Sequence, residues 1–175
     1  MNNCFDFRPL RREKQALSKE ECEQILKDAS CGVLSLCGDG GYPYGVPVNH
    51  YYSDGRIFFH FAKEGHKIDA IRKNDKVSFC VIAKDDVISE KRTTAYISVI
   101  AFGRAEIIED EDRLREAADN IGKKFSGDYP DDCKAEIDET INKGTLCCVE
   151  IKVEHLSGKC GLEVLKERNS DGKQR

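Results

Sequence analysis

The chain has 175 residues, of which 39% are hydrophobic and 34% charged, and its formal net charge is −4. That length carries a single domain whose core needs no staples, and the acidic balance excludes a general nucleic-acid surface. No apolar run reaches membrane-spanning length and the opening MNNCFDFRPLRREKQ lacks the apolar segment of a signal peptide, so a cytoplasmic protein without a membrane anchor is expected.

Residues 1–17 are basic and irregular and read as an N-terminal arm that packs on a neighbour, or as a frayed end. Ser18-Lys19-Glu20-Glu21 is a capping box. Cys22, Ile25, Leu26 and Ala29 then mark one apolar face, which predicts a helix over 19–29. Val33–Cys37 reads as a strand, and Gly38-Asp39-Gly40-Gly41 as a hairpin turn. Tyr42–Tyr52 is the next predicted strand. Its Pro43 and Pro47 cannot donate to a ladder, so it is an edge strand, or is bulged or interrupted in places. Ser53-Asp54-Gly55 turns the chain into an aromatic and β-branched strand, Arg56–Ala62.

After Gly65 the spacing of Ile68 and Ile71 predicts a short helix over 66–73. Its first turn carries His66 and Lys67. Free amides and the helix dipole favour an anion at such a place, and a phosphate suits it. A solvated surface loop is the alternative reading of the same two residues. Lys76–Ala83 reads as a strand, Lys84–Thr94 as a polar loop, and Tyr96–Ile108 as a long strand with Gly103 at a bulge or close approach. Leu114, Ala117, Ala118 and Ile121 give the following helix its buried face. Cys133, Ile137 and Ile141 support another, ending near Gly144. Apolar odd positions over Thr145–Glu154 predict a last strand with one buried face. The domain is thus read as 18–156, followed by a charged tail over 157–175 that is loose at its end.

Six strands in a mainly meander order argue for a small antiparallel barrel with peripheral helices. Nine cysteines without a secretory signal read as reduced thiols. Cys22 and Cys80 read as small core residues. There is no CxxC, and Cys147-Cys148 is a poor chelating pair because neighbours on a strand face opposite ways, so no metal is expected. No Rossmann glycine motif, Walker sequence or nucleophile elbow is present.

The run from Cys31 to Ile82 resembles the flavin-binding split-barrel proteins related to pyridoxamine 5′-phosphate oxidase, and within them the nitroimidazole-resistance (Nim) family. The matching pieces are Gly32-Val33-Leu34, Gly40–Tyr44, Val46-Pro47-Val48-Asn49, His60-Phe61-Ala62, Gly65-His66-Lys67, Ser98–Ala105 and Ile151–Lys159. The resemblance implies a six-stranded split barrel that forms a homodimer, with FMN in grooves at the dimer interface. It implies that Pro47, Val48 and Asn49 lie along the isoalloxazine and that His60, Phe61 and Ala62 continue that wall. His66 and Lys67 would hold the phosphate, and Ser98 would lie on a strand near the flavin. Many relatives have serine at the place of Ala62, which removes one hydroxyl donor here.

The resemblance further implies an oxidoreductase that reduces a small electron-poor molecule such as a nitro compound, with the hard chemistry left to the flavin and no catalytic side chain required. A non-catalytic flavin-binding sensor or carrier shares the same fold. So does a haem-binding barrel, for which His50, His60, His66 and His155 are the candidate ligands. A thiol redox sensor using Cys31 and Cys37 is a weaker alternative.

Overall fold

The computed structural model describes residues 6–128 and 130–171. The capping box forms: the Glu21 amide donates to Ser18 Oγ at 3.2 Å, and the Ser18 amide donates to Glu21 Oε2 at 2.7 Å. It opens α1 (Lys19–Asp28), which buries Cys22 and Leu26. β1 (Cys31–Cys37) and β2 (Pro43–Asn49) form the expected hairpin, paired from Cys31↔Asn49 to Cys37↔Pro43. Then come β3 (Tyr51–Ser53), β4 (Arg56–Ala62), α2 (His66–Lys73) and β5 (Lys76–Ile88). The chain continues through β6 (Thr93–Ile107), α3 (Glu111–Phe125), α4 (Pro130–Asn142), β7 (Leu146–Cys160) and α5 (Leu162–Asp171).

The strand expected over Tyr42–Tyr52 breaks at His50, and its two parts go to opposite ends of the sheet. The seven strands lie in the order β2-β1-β5-β6-β7-β4-β3. β2 and β3 are therefore the two edges, yet only His50 stands between them in sequence. Two consecutive Cα steps span less than about 8 Å. The sheet must roll up until its edges meet, and this makes a split barrel. Counting β2 and β3 as one bent strand recovers the six strands read from the sequence, but the first three do not form a simple meander.

The bend is held from two sides. The His50 ring is fully buried, and its Nε2 donates to the Leu26 carbonyl at 2.8 Å. Because a carbonyl only accepts, Nε2 carries the proton and Nδ1 has no partner among the described protein groups. Lys124 on α3 donates to the carbonyls of Ala29 at 2.6 Å and His50 at 2.9 Å. Desolvation holds its ammonium below the usual lysine range.

Inward-facing residues at alternate positions, such as Leu34, Ile57, Phe59, Phe79, Val99 and Ile151, make the core. β7 departs from the expected single buried face. Cys147, Val149 and Ile151 join the barrel core, whereas Cys148 packs outside it with Ile108, Ala117 and Ala118 beneath α3. Glu150 is buried on that outer side as well. Cys147 and Cys148 thus face opposite ways, as alternation requires. Cys80 is half-buried on the outer face and is not a core residue.

Two expected irregular segments are ordered. Residues 84–88 and 93–97 continue the β5–β6 ladder past a bulge after Ile82, so the predicted polar loop is a β-arm closed by a turn at Ser89–Lys91. The charged tail is strand as far as Cys160 and then α5, which buries Val164; its end, residues 172–175, lies outside the described residues. Glu163 ties the arm to that helix through Lys91 at 2.8 Å. The N-terminal arm also packs, with Phe7 stacked on His155 at 4.5 Å and Gln15 and Leu17 buried. Residues 1–5 lie outside the described residues.

Candidate functional site

The rolled sheet brings β2, the end of β4 and the start of α2 together. Tyr44 on β2 stacks on His66, with centroids 4.2 Å apart and planes 14° from parallel. Lys67 Nζ lies 4.9 Å from the centre of the Phe61 ring. Asp39, in the β1–β2 turn, meets His66 Nε2 at 3.5 Å and Lys73 Nζ at 2.8 Å. The Lys73 hydrogen bond and the charge of Lys73, with a smaller contribution from His66, hold the Asp39 carboxyl below its ordinary range. The β1–β2 hairpin therefore fixes the ring of His66 through two residues, Tyr44 and Asp39.

The start of α2 suits an anion for a reason the other capped helices make plain. Ser18 caps α1 and Asp110 caps α3, each accepting from a backbone amide. The residue before α2 is Gly65, with φ of +123° and no side chain to cap the helix. Glycine tolerates that backbone, and its missing side chain leaves the first-turn amides open. His66 and Lys67 flank them.

Alternation divides the predicted wall. Pro47 and Asn49 face outward and are exposed, while Val48 turns inward against the core. His60 and Ala62 likewise face outward, and Phe61 faces in. A planar ligand lying on this wall would meet the side chains of Pro47, Asn49, His60 and Ala62. It would not meet those of Val48 and Phe61. Ser98 is half-buried on β6, paired with Ile82 and Lys159, and is three strands from β2. At ordinary strand spacing that is about 14 Å, and β4, two strands away on the other side, is about 10 Å off, so a single chain does not bring Ser98 against the wall.

A second feature lies on the outer face of β2, β1, β5 and β6. Pro47, Val33, Cys80 and Ile100 pair in one cross-strand row. Val33 is 39% exposed, Ile100 37%, and Ile82, one step along, 65%. The row runs directly into Pro47 of the predicted wall.

Residues 18–160 match the pyridoxamine 5′-phosphate oxidase family. The chain belongs to that family. Among pyridoxamine 5′-phosphate oxidase-type folds, it is similar to a putative 5-nitroimidazole antibiotic resistance protein from Bacteroides thetaiotaomicron, with 22% identity and a TM-score of 0.67 over 83% of this chain and 86% of that one. An FAD-binding protein from Mesorhizobium loti gives 27% identity and a TM-score of 0.56 over 83% and 95% of the two chains. An FAD and haem binding protein from Mycobacterium smegmatis gives 19% and 0.67 over 86% and 74%. No curated protein matches the chain. Among the described residues no helix is long and apolar enough to cross a membrane.

Tyr44 and Asp39 were not legible as site residues. The strand pattern leaves Tyr44 as a core or interface aromatic, and Asp39 reads only as part of a turn. Their role depends on closure of the barrel, which sets them against α2. Arg72 lies 3.8 Å from Asp69 on the exposed side of the helix.

Proposed function

We propose that this protein is an FMN-dependent oxidoreductase that works as a homodimer and reduces a small electron-poor substrate of the nitro type. Family membership supports a flavin, and the open start of α2 carries the assignment of its phosphate end. His66, Lys67 and the first-turn amides would hold the phosphate. Pro47 and Asn49 would lie along the ring system, with His60 and Ala62 beyond them. FMN fits the site in this reading because one phosphate group meets one uncapped helix start. When bound, the flavin supplies the storage and release of a hydride. The chain's task is to bind it, hold its plane on the β2 edge and exclude water with apolar neighbours.

The apolar row supports the homodimer. Val33, Cys80, Ile82 and Ile100 form an exposed face that a second copy would cover. The partner would then bring its own Ser98 strand toward the groove, which a single chain does not do.

The test is the visible spectrum of the protein re-isolated after incubation with FMN. A retained flavin spectrum supports the reading, a colourless protein overturns it, and a sharp band near ~400 nm would favour haem. The Lys67→Ala variant should bind FMN roughly tenfold more weakly, through loss of a charge-assisted contact. Unchanged affinity in a fluorescence titration removes Lys67 from the site. Dilution to monomer should release the flavin, and a monomer that keeps it refutes the shared groove.

A further inference from the structure

A separate cavity of about 270 Å³ lies between α3, the β3–β4 hairpin and β7. Its lining includes Tyr51, Phe58, Ala117, Asn120 and Glu150, with Asp54 and Glu116 also contributing. The Glu150 side chain is only 1% exposed. Its Oε2 accepts from Arg113 at 3.0 Å and Arg56 at 3.4 Å, while Oε1 has no hydrogen-bond partner among the described protein groups. A buried carboxylate oxygen without a donor is costly. Glu150 lines the cavity, so this carboxylate with spare acceptor capacity belongs to its wall.

The charges around this carboxylate select the ligand's sign. Arg56 and Arg113 are already committed to Glu150, and Arg113 also meets Glu106 at 3.5 Å. Asp54 and Glu116 at the cavity carry no ion pair among the described residues. The lining therefore holds two guanidinium groups against three carboxylates, and the surplus is negative. Tyr51 and Phe58, with centroids 6.1 Å apart, supply aromatic surface. Aromatic faces, a negative surplus and a carboxylate short of donors suit the same ligand chemistry.

We propose that this cavity binds a small organic cation, a primary ammonium or amidinium group on a compact apolar body. The ammonium donates to Glu150, and the body lies against Tyr51 and Phe58. The cavity sits beside the proposed flavin wall, since Tyr51 follows Asn49 by two residues and Phe58 precedes His60 by two. The binding argument does not require the flavin.

Calorimetric titration of the full chain with 2-phenylethylammonium, 2-phenylethanol and phenylacetate tests this without FMN. The ammonium should bind about tenfold more tightly than the alcohol, the difference expected of one charge-assisted hydrogen bond, and phenylacetate should not bind. Glu150→Gln should abolish the ammonium's advantage. Ala117→Leu, which adds bulk to the cavity wall and changes no charge, should weaken both the ammonium and the alcohol. Absence of saturable ammonium binding at millimolar concentration overturns the proposal, as does preferential binding of phenylacetate. So does unchanged ammonium affinity in a folded Ala117→Leu variant. None of these results bears on FMN binding at α2, so the two readings fail separately.

Discussion

Replacing Gly103 with alanine should destabilise the protein by roughly 3 kcal/mol. The reason is space, not backbone freedom. β6 bulges against β7 between Phe102 and Gly103, so that Phe102 faces His155 and Gly103 faces Val153. A methyl group at position 103 would stand 2.1 Å from the Lys152 carbonyl oxygen and 2.9 Å from Ile151 Cγ2. The first of these is main chain of a neighbouring central strand. It cannot retreat without opening the β6–β7 ladder, and Ile151 at the same place is fully buried. Gly127→Ala is the control. There an added Cβ meets only the Lys123 carbonyl oxygen at 3.9 Å, an ordinary contact. Urea unfolding of both variants decides the matter: equal midpoints would show that the ladder absorbs the methyl group. A domain of this kind has only about 5–15 kcal/mol of total stability, so the predicted loss is a large share of it.

Gly103 was legible because a glycine inside a long β pattern demands an explanation. The helices were legible too, since capping residues and apolar spacing are local signals. Ser18 with Glu21, and Ala117 with Ile121, report themselves within one turn. The break at His50 was not. Nothing in Asn49-His50-Tyr51-Tyr52 distinguishes a strand that continues from one that crosses to the opposite sheet edge. That distinction depends on what pairs with β4, far along the chain. Glu150 was half legible. A carboxylate inside Leu146-Cys147-Cys148-Val149-Glu150-Ile151 is out of keeping with its neighbours, but period-two reasoning assigns it to solvent. α3 covers that face and changes the outcome. The same limit applies to the site. His66 and Lys67 follow from a strand–glycine–helix pattern, whereas the Tyr44 stack and the Asp39 contact exist only once the sheet has closed. The parity of Val48 and Phe61 was readable from alternation alone, and it narrows the wall to the outward-facing residues.

Acidification should weaken the fold through His50 before most carboxylates titrate. Burial, opposed by the Leu26 hydrogen bond and reinforced by the Lys124 charge, pushes the imidazole down from 6.5 to about 4. In the unfolded chain the ring takes up a proton below its ordinary value, but in the folded chain it stays neutral until about 4. The unfolded state therefore binds more protons across that interval, and unfolding becomes easier as pH falls. The contribution is fully present above the unfolded value and is lost as pH drops through the folded one. Its whole extent is roughly 3 kcal/mol, with about 2 kcal/mol gone by pH ~5. His50→Gln removes the titration and keeps an amide donor within the same polar class for the Leu26 carbonyl. Urea unfolding between pH ~7 and ~5 should then show a shallower slope for the variant than for the parent. Parallel slopes would take His50 out of the acid response. Protonation here also has a local consequence. An imidazolium between Leu26 and Phe79, close to the Lys124 ammonium, strains the one-residue joint that closes the barrel. Asn49 of the proposed flavin wall and Tyr51 of the cation cavity are the residues on either side of that joint, so both candidate sites should loosen over the same pH range.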